Sequence, residues 1–296
     1  MLILYGTKYN YIDVTDICFK NILKENIIII PARDEYRSNL FTDPCIGLLK
    51  KIFIIDNLDF VYEFNDTMQV NINTIDKKII FYYDVDWRLQ KIHSQLKIKY
   101  GSLLDELPEQ KMVAKYIIGN EKILELGGNI GRNSLVIGSI LKEKNNTNFV
   151  CLESDPEIAE KLIENRDMNN LNFHVESSAL SKRSLIQREW NTIVSNEVLD
   201  GYKKIKTISL EELYNKYEIN FDTLVLDCEG AFYEILIDFP ELLNNINLII
   251  MENDYNDINQ KKYVDKVLLD NSFQLHYKEV GGWGPCQENF FEVWKK

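Results

Sequence analysis

Ile123-Leu124-Glu125-Leu126-Gly127-Gly128-Asn129-Ile130-Gly131 is the stretch on which the fold turns. An apolar run with one acid leads straight into three glycines within five positions, and a helical pattern opens at about Arg132. A strand that stops at a glycine-rich turn and restarts as a helix is the entrance of a βα unit in an open sheet. Glycine, lacking Cβ, tolerates positive φ and lets backbone approach a ligand closely. The outer glycines are spaced Gly-x-x-x-Gly, from Gly127 to Gly131, so the dinucleotide fingerprint Gly-x-Gly-x-x-Gly is not met. Glu125 suits a nucleoside cofactor that is cationic better than one bringing a diphosphate.

Downstream, strand-like runs alternate with helical stretches, which predicts a largely parallel sheet covered by helices on both faces. The expected strands are 122–126, 148–153, 172–176, 223–227, 248–252, 273–279 and 289–294. Only Gly281-Gly282-Trp283-Gly284-Pro285 and a few neighbours separate the last two. No crossover helix fits there, so they are expected to be antiparallel. Upstream, residues 1–85 hold short β-like runs broken by Asn, Asp and Pro, clearest in Met68-Gln69-Val70-Asn71-Ile72-Asn73 with its strict alternation. A small β-rich module is predicted there, then a helical linker over 86–120 (Trp87, Leu89, Ile92, Leu96, Met112, Tyr116, Ile117), and the sheet domain over 121–296.

The chain has 296 residues, about two domains' worth, with 34 Lys+Arg against 46 Asp+Glu and a formal net charge of -12. That balance argues against a polyanion groove, so no nucleic-acid partner is expected. The apolar runs are far shorter than the roughly 20 residues a membrane helix needs. No membrane partner is expected either. The five cysteines form no Cys-x-x-Cys pair, which argues against a zinc site or a disulfide framework. With no secretory pattern at the start, the expectation is a reducing, cytoplasmic setting.

Three further segments carry chemistry. Phe149-Val150-Cys151-Leu152-Glu153-Ser154-Asp155-Pro156 ends its strand with Glu153, placed to accept both hydroxyl protons of a ribose, with Ser154 beside it. Asp155 and Pro156 read as a helix cap and first helical residue. Ser178 and Ala179, past the third strand, either edge an adenine or are plain loop. Leu224-Val225-Leu226-Asp227-Cys228-Glu229-Gly230-Ala231 delivers Asp227 and Glu229 to the carboxyl edge of the sheet, where two acids can take a proton, orient a hydroxyl or hold a divalent cation.

Together, Leu-Glu-Leu-Gly-Gly-Asn-Ile-Gly at 124–131, Leu-Glu-Ser-Asp-Pro at 152–156, Ser-Ala-Leu-Ser at 178–181 and Leu-Asp-Cys-Glu-Gly-Ala at 226–231 resemble the FkbM family of S-adenosylmethionine-dependent methyltransferases. The resemblance covers roughly residues 95–296. It implies an α/β, Rossmann-like class I methyltransferase fold, with a seven-stranded mostly parallel sheet and an antiparallel last strand. It implies S-adenosylmethionine as cofactor and S-adenosylhomocysteine as product. Glu125, Gly127, Gly128, Asn129 and Gly131 would surround the methionine part, and Glu153 the ribose. Glu125 and Gly128 stand where the family usually has Asp and Ala, changes that keep the chemistry.

The expected reaction is O-methylation of a sugar or glycan hydroxyl, with Asp227, Glu229, Asp254 or His276 as base and Trp283 stacking on the acceptor or plugging its turn. A variant with Mg²⁺ between Asp227, Glu229 and Asp254 ranks second. Other readings are a carbohydrate-binding scaffold that keeps a structural cofactor, a methyltransferase of a non-sugar small molecule, and a nicotinamide dehydrogenase that the glycine spacing weakens. The β-rich module would orient the acceptor or join a homodimer.

Overall fold

The computed structural model describes residues 1–296, which divide into two compact units, Met1–Lys91 and Ile92–Lys296. In the first unit the strands are β1 (Leu2–Gly6), β2 (Tyr11–Asp13), β3 (Leu23–Lys24), β4 (Ile27–Ile30), β5 (Lys51–Ile55), β6 (Val61–Phe64), β7 (Met68–Asn73) and β8 (Ile79–Tyr83). They form two antiparallel four-stranded sheets, β2-β1-β5-β6 and β3-β4-β7-β8. Alternation decides which side chains meet in the core: Ile28 and Ile30, Ile52 and Ile54, Val70 and Ile72 are all buried, while Ile27 and Ile29 face out. β1 and the helix α2 (Asp34–Phe41) were not expected from the sequence. A short helix α1 (Thr15–Ile17) runs into a π-helical turn before β3.

Helix α3 (Val85–Gln95) contains the boundary between the units, and α4 (Leu107–Tyr116) lies wholly in the second, packed on α5 (Arg132–Lys142). The stretch read as a linker is therefore partly built into the larger unit. The remaining strands are β9 (Ile123–Leu126), β10 (Phe149–Leu152), β11 (His174–Glu176), β12 (Ala179–Leu180), β13 (Leu185–Arg188), β14 (Asn191–Val194), β15 (Lys203–Ile205), β16 (Thr207–Ile208), β17 (Thr223–Leu226), β18 (Leu248–Glu252), β19 (Gln274–Glu279) and β20 (Phe291–Lys295).

Seven of these form one sheet in the order β11-β10-β9-β17-β18-β20-β19. The first five are parallel, and β20 enters antiparallel between β18 and β19. That order and that single reversal are those of the Rossmann-like class I methyltransferase fold. β9, β10 and β17 are buried along their whole length, as a sheet covered on both faces requires. The covering helices include α5, α6 (Pro156–Met168), α7 (Leu210–Tyr217), α8 (Phe232–Asp238) and α9 (Ile258–Asp270).

Local chemistry sets where the helices begin. Asp155 caps α6 by accepting from the amides of Glu157 and Ile158, with Pro156 first in the helix, as read from the sequence. Ser209 and Glu212 form a reciprocal capping box on α7. The sequence reading assigned no element between β12 and β17. In the structure that segment makes an antiparallel meander, β14-β13-β15, and a short parallel pair of β12 with β16.

Candidate functional site

In an open parallel sheet the ligand side is the edge at which the strands end. The loops there are those after β9, β10, β11, β17 and β18, and they bring together most of the residues singled out from sequence. The glycine turn comes first. Gly127 and Gly131 have φ of +88° and +93°, and Asn129 between them has +45°. The glycines serve internal packing: a Cβ on Gly127 would stand 1.6 Å from the Asp227 carbonyl oxygen, and one on Gly128 would stand 2.1 Å from Cys151 Sγ. The space a side chain would take at these two positions is filled by the chain itself. Their absence of side chains lets the ends of β9, β10 and β17 close on one another.

Glu153, at the end of β10, is buried, and its two oxygens accept from the amides of Asn129 and Asp155, each at 2.8 Å. A carboxylate has about four acceptor positions, so two remain for ribose hydroxyls. Burial pushes its pKa up, and the two amides oppose that. Ser154 is partly exposed and donates to Gln187. Glu125 lies beneath the turn, 2% exposed, with Ser134 donating to it; burial raises its pKa to about 7. Its side chain makes no exposed contact at this edge.

Glu176, the last residue of β11, takes the Ser178 hydroxyl, Lys206, Lys216 and Tyr217. Ser178 is fully buried in that arrangement, and Ala179 pairs with β16. The Ser178 hydroxyl and the Ala179 amide are engaged within the chain, while Ser177 and Ala179 are both partly exposed.

The second half of the edge is acidic. Asp227 and Glu252 are partly exposed and Asp254 is buried, and one carboxylate oxygen of each lies within 4.8 Å of the others. Glu229, at φ +52°, is exposed and stands outside that group. The trio expected from sequence thus exchanges Glu229 for Glu252. Glu229 lies in the turn after β17, whereas Glu252 ends β18 and Asp254 follows two residues later, with Asn253 between them donating to the carbonyl of Asn289.

Two more acids come from outside the sheet. Glu106 holds Arg132 at 2.6 Å, and Glu109, in the first turn of α4, is 7% exposed with Oε2 buried and unpartnered. Burial and the neighbouring carboxylates raise the pKa values of Asp227, Glu252 and Asp254, with Glu109 acting on all three. Sequence reasoning missed Glu106, Glu109 and Glu252. Glu109 sits where an acid ordinarily complements a helix N-terminus, so its sequence position carried no distinct signal.

His276 is not brought to this edge. It is exposed at the bulge of the outermost strand β19, with β20 between it and β18, so no acid-rich surface reaches it. The other histidines are no closer to the chemistry: His93 pairs with Gln110, and the ring of His174 packs on Tyr217. Trp283 is 57% exposed in the loop that follows β19. The plug of that turn is instead Phe290 and Phe291, whose rings fill the space above Gly282 and Gly281. That loop leads into a 3₁₀ turn (Gly284–Asn289), and Asn253 binds the carbonyls of Asn289 and Phe290. The acidic loop and the Trp283 loop are therefore tied together.

No family model and no curated protein matches the chain. Among solved structures it is similar to a putative O-methyltransferase from Klebsiella pneumoniae (13% identity, 71% of this chain and 88% of that one, TM-score 0.42). It is also similar to the O-methyltransferase from Bacillus cereus in complex with SAH (17%, 72% and 90%, TM-score 0.40). A third is fibrillarin from Aeropyrum pernix with natively bound S-adenosyl-L-methionine (13%, 78% and 94%, TM-score 0.40). Likeness at this level leaves the fold to rest on strand order and direction. No helix is long and apolar enough to cross a membrane.

Proposed function

We propose that the second unit binds S-adenosylmethionine at the glycine turn and methylates a hydroxyl of a sugar in a glycan, as an FkbM-like O-methyltransferase. The observation that carries this reading is Glu153, joined to the turn by the Asn129 amide with acceptor positions to spare, in a sheet of this strand order. Glu125, buried under the turn, adds negative potential that favours a cationic cofactor.

When bound, the cofactor supplies an electrophilic methyl on a sulfonium sulfur. A hydroxyl oxygen attacks in line, the new O–C bond forms as the S–C bond breaks, and the electron pair stays on sulfur. The chain's own tasks are to align the acceptor and to take its proton. Asp227 and Asp254 of the acidic cluster, and the exposed Glu229, are the bases offered for that proton, and Trp283 offers an exposed ring for a sugar face.

Calorimetric titration of the protein with S-adenosylmethionine, S-adenosylhomocysteine and NAD tests the cofactor. Micromolar binding of the first two alone is expected; binding of NAD alone, or of none, rejects the reading of the turn. Transfer of labelled methyl across a glycan panel tests the acceptor, and transfer to non-sugar hydroxyls only would reject the sugar.

A further inference from the structure

We propose that the acidic half of the edge is a divalent-cation site, with Asp227, Glu252 and Asp254 as ligands and Glu109 of α4 as a fourth oxygen donor. The site has the size and chemistry for it. Three carboxylate oxygens from two neighbouring strand ends lie within 4.8 Å of one another, a span that a cation bound at about 2.0–2.6 Å can bridge with little movement. The set is all oxygen, with no His or Cys among its three members, which selects a hard cation such as Mg²⁺, Mn²⁺ or Ca²⁺ over Zn²⁺.

Glu109 gives the second, independent indication. Glu109 is more than nine-tenths buried on a helix packed against β18, and its Oε2 is shut away from solvent with no hydrogen-bond donor. Burying an unpaired carboxylate oxygen beside three other acids is costly, and the ordinary remedy is a basic side chain or a metal ion. The basic side chain at this edge, Arg132, is already held by Asp105 and Glu106. A divalent ion held by the three clustered acids would also relieve Glu109 once its carboxyl moves onto the ion.

The site deepens the reading above. Its catalytic use, lowering the pKa of an acceptor hydroxyl, rests on that reading, whereas the binding of the ion does not. The test is a titration of the full chain with Mn²⁺ alone, followed by electron paramagnetic resonance, with S-adenosylmethionine binding measured separately on the same preparation. One saturable Mn²⁺ per chain, displaced by Mg²⁺ or Ca²⁺, is expected. Asp254→Asn and Glu252→Gln should each weaken it at least tenfold, and Glu109→Gln several-fold, with thermal midpoints no lower than that of the parent. No saturable binding, or binding that both strand-end variants leave unchanged, overturns the site. The S-adenosylmethionine titration then shows independently whether the cofactor reading stands.

Discussion

Two groups of carboxylates, one buried and one partly so, stand at the ends of parallel strands in the same sheet, and their surroundings are opposite. Glu176 at the end of β11 is met by Lys206 at 2.8 Å, by Lys216 and by the Tyr217 hydroxyl, and its pKa is held down to about 2. Asp227, Glu252 and Asp254 at the ends of β17 and β18 are met by further acids, and burial and repulsion raise them. Both groups cost desolvation; only the first recovers it from side chains of the protein. The difference separates a carboxylate that fastens the fold from carboxylates left for something the chain does not itself contain.

The comparison is most exposed at Asp227. Asp227→Asn should reduce methyl transfer about 10³-fold while S-adenosylmethionine affinity stays within a few-fold, since it alters proton removal and not the cofactor pocket. Removing a repelled charge should leave the thermal midpoint equal or higher. A normal rate on the true acceptor would end the catalytic assignment. Next is Glu153→Ala, which removes two charge-assisted hydrogen bonds to a ribose. Affinity for S-adenosylmethionine by calorimetry should fall roughly 300-fold, about 3.4 kcal/mol. An affinity within threefold of the parent, in a variant that remains folded by circular dichroism, would remove the ribose assignment.

How far the sequence reveals such a site depends on how local the signal is. The strands of the sheet, the hairpin-like reversal at its end, the glycine turn and the Asp155 cap are all written in contiguous residues, and their pattern was legible. Glu252 ended an expected strand, but what decides the trio is the turn after β17, where Glu229 takes φ +52° and stands exposed, leaving Glu252 to join Asp227 and Asp254. Glu109 was invisible because its proximity to β18 is made by packing across more than a hundred residues. His276 misled in the opposite way: a lone histidine in a strand was read as a base, and sheet order placed it on the far rim. The meander β13 to β15 was missed because its strands are only three or four residues long.

Glu125 sharpens the comparison, being buried like Asp254 but without an acid trio around it. Its pKa is raised from 4.5 to about 7, chiefly by burial, with Glu106 and Glu153 adding repulsion and Ser134 and Cys151 opposing. A raised carboxyl makes the folded state bind more protons than the unfolded one between those two values. Stability is therefore lost as pH rises from 4.5 through 7, by about 3 kcal/mol, and stays lost above. Glu125→Gln should be more stable than the parent by about that amount at pH 8 and by nothing at pH 4, measured by urea denaturation. An equal difference at both pH values would mean that the carboxyl is not titrating there.

The smallest effect belongs to Glu176, and the sign reverses. With its pKa depressed from 4.5 to about 2, its contribution is fully present above 4.5 and disappears as pH falls through 2. The lysines that meet it are half exposed or more, so water screens the pairs and the contribution is about 1–2 kcal/mol. Glu176→Gln should lose that much stability at pH 7 and converge on the parent towards pH 2, without altering cofactor affinity. If the variant instead gained stability at pH 7, as the acids of β17 and β18 are expected to do on neutralisation, burial would outweigh the lysines. The two ends of the sheet would then not differ in kind.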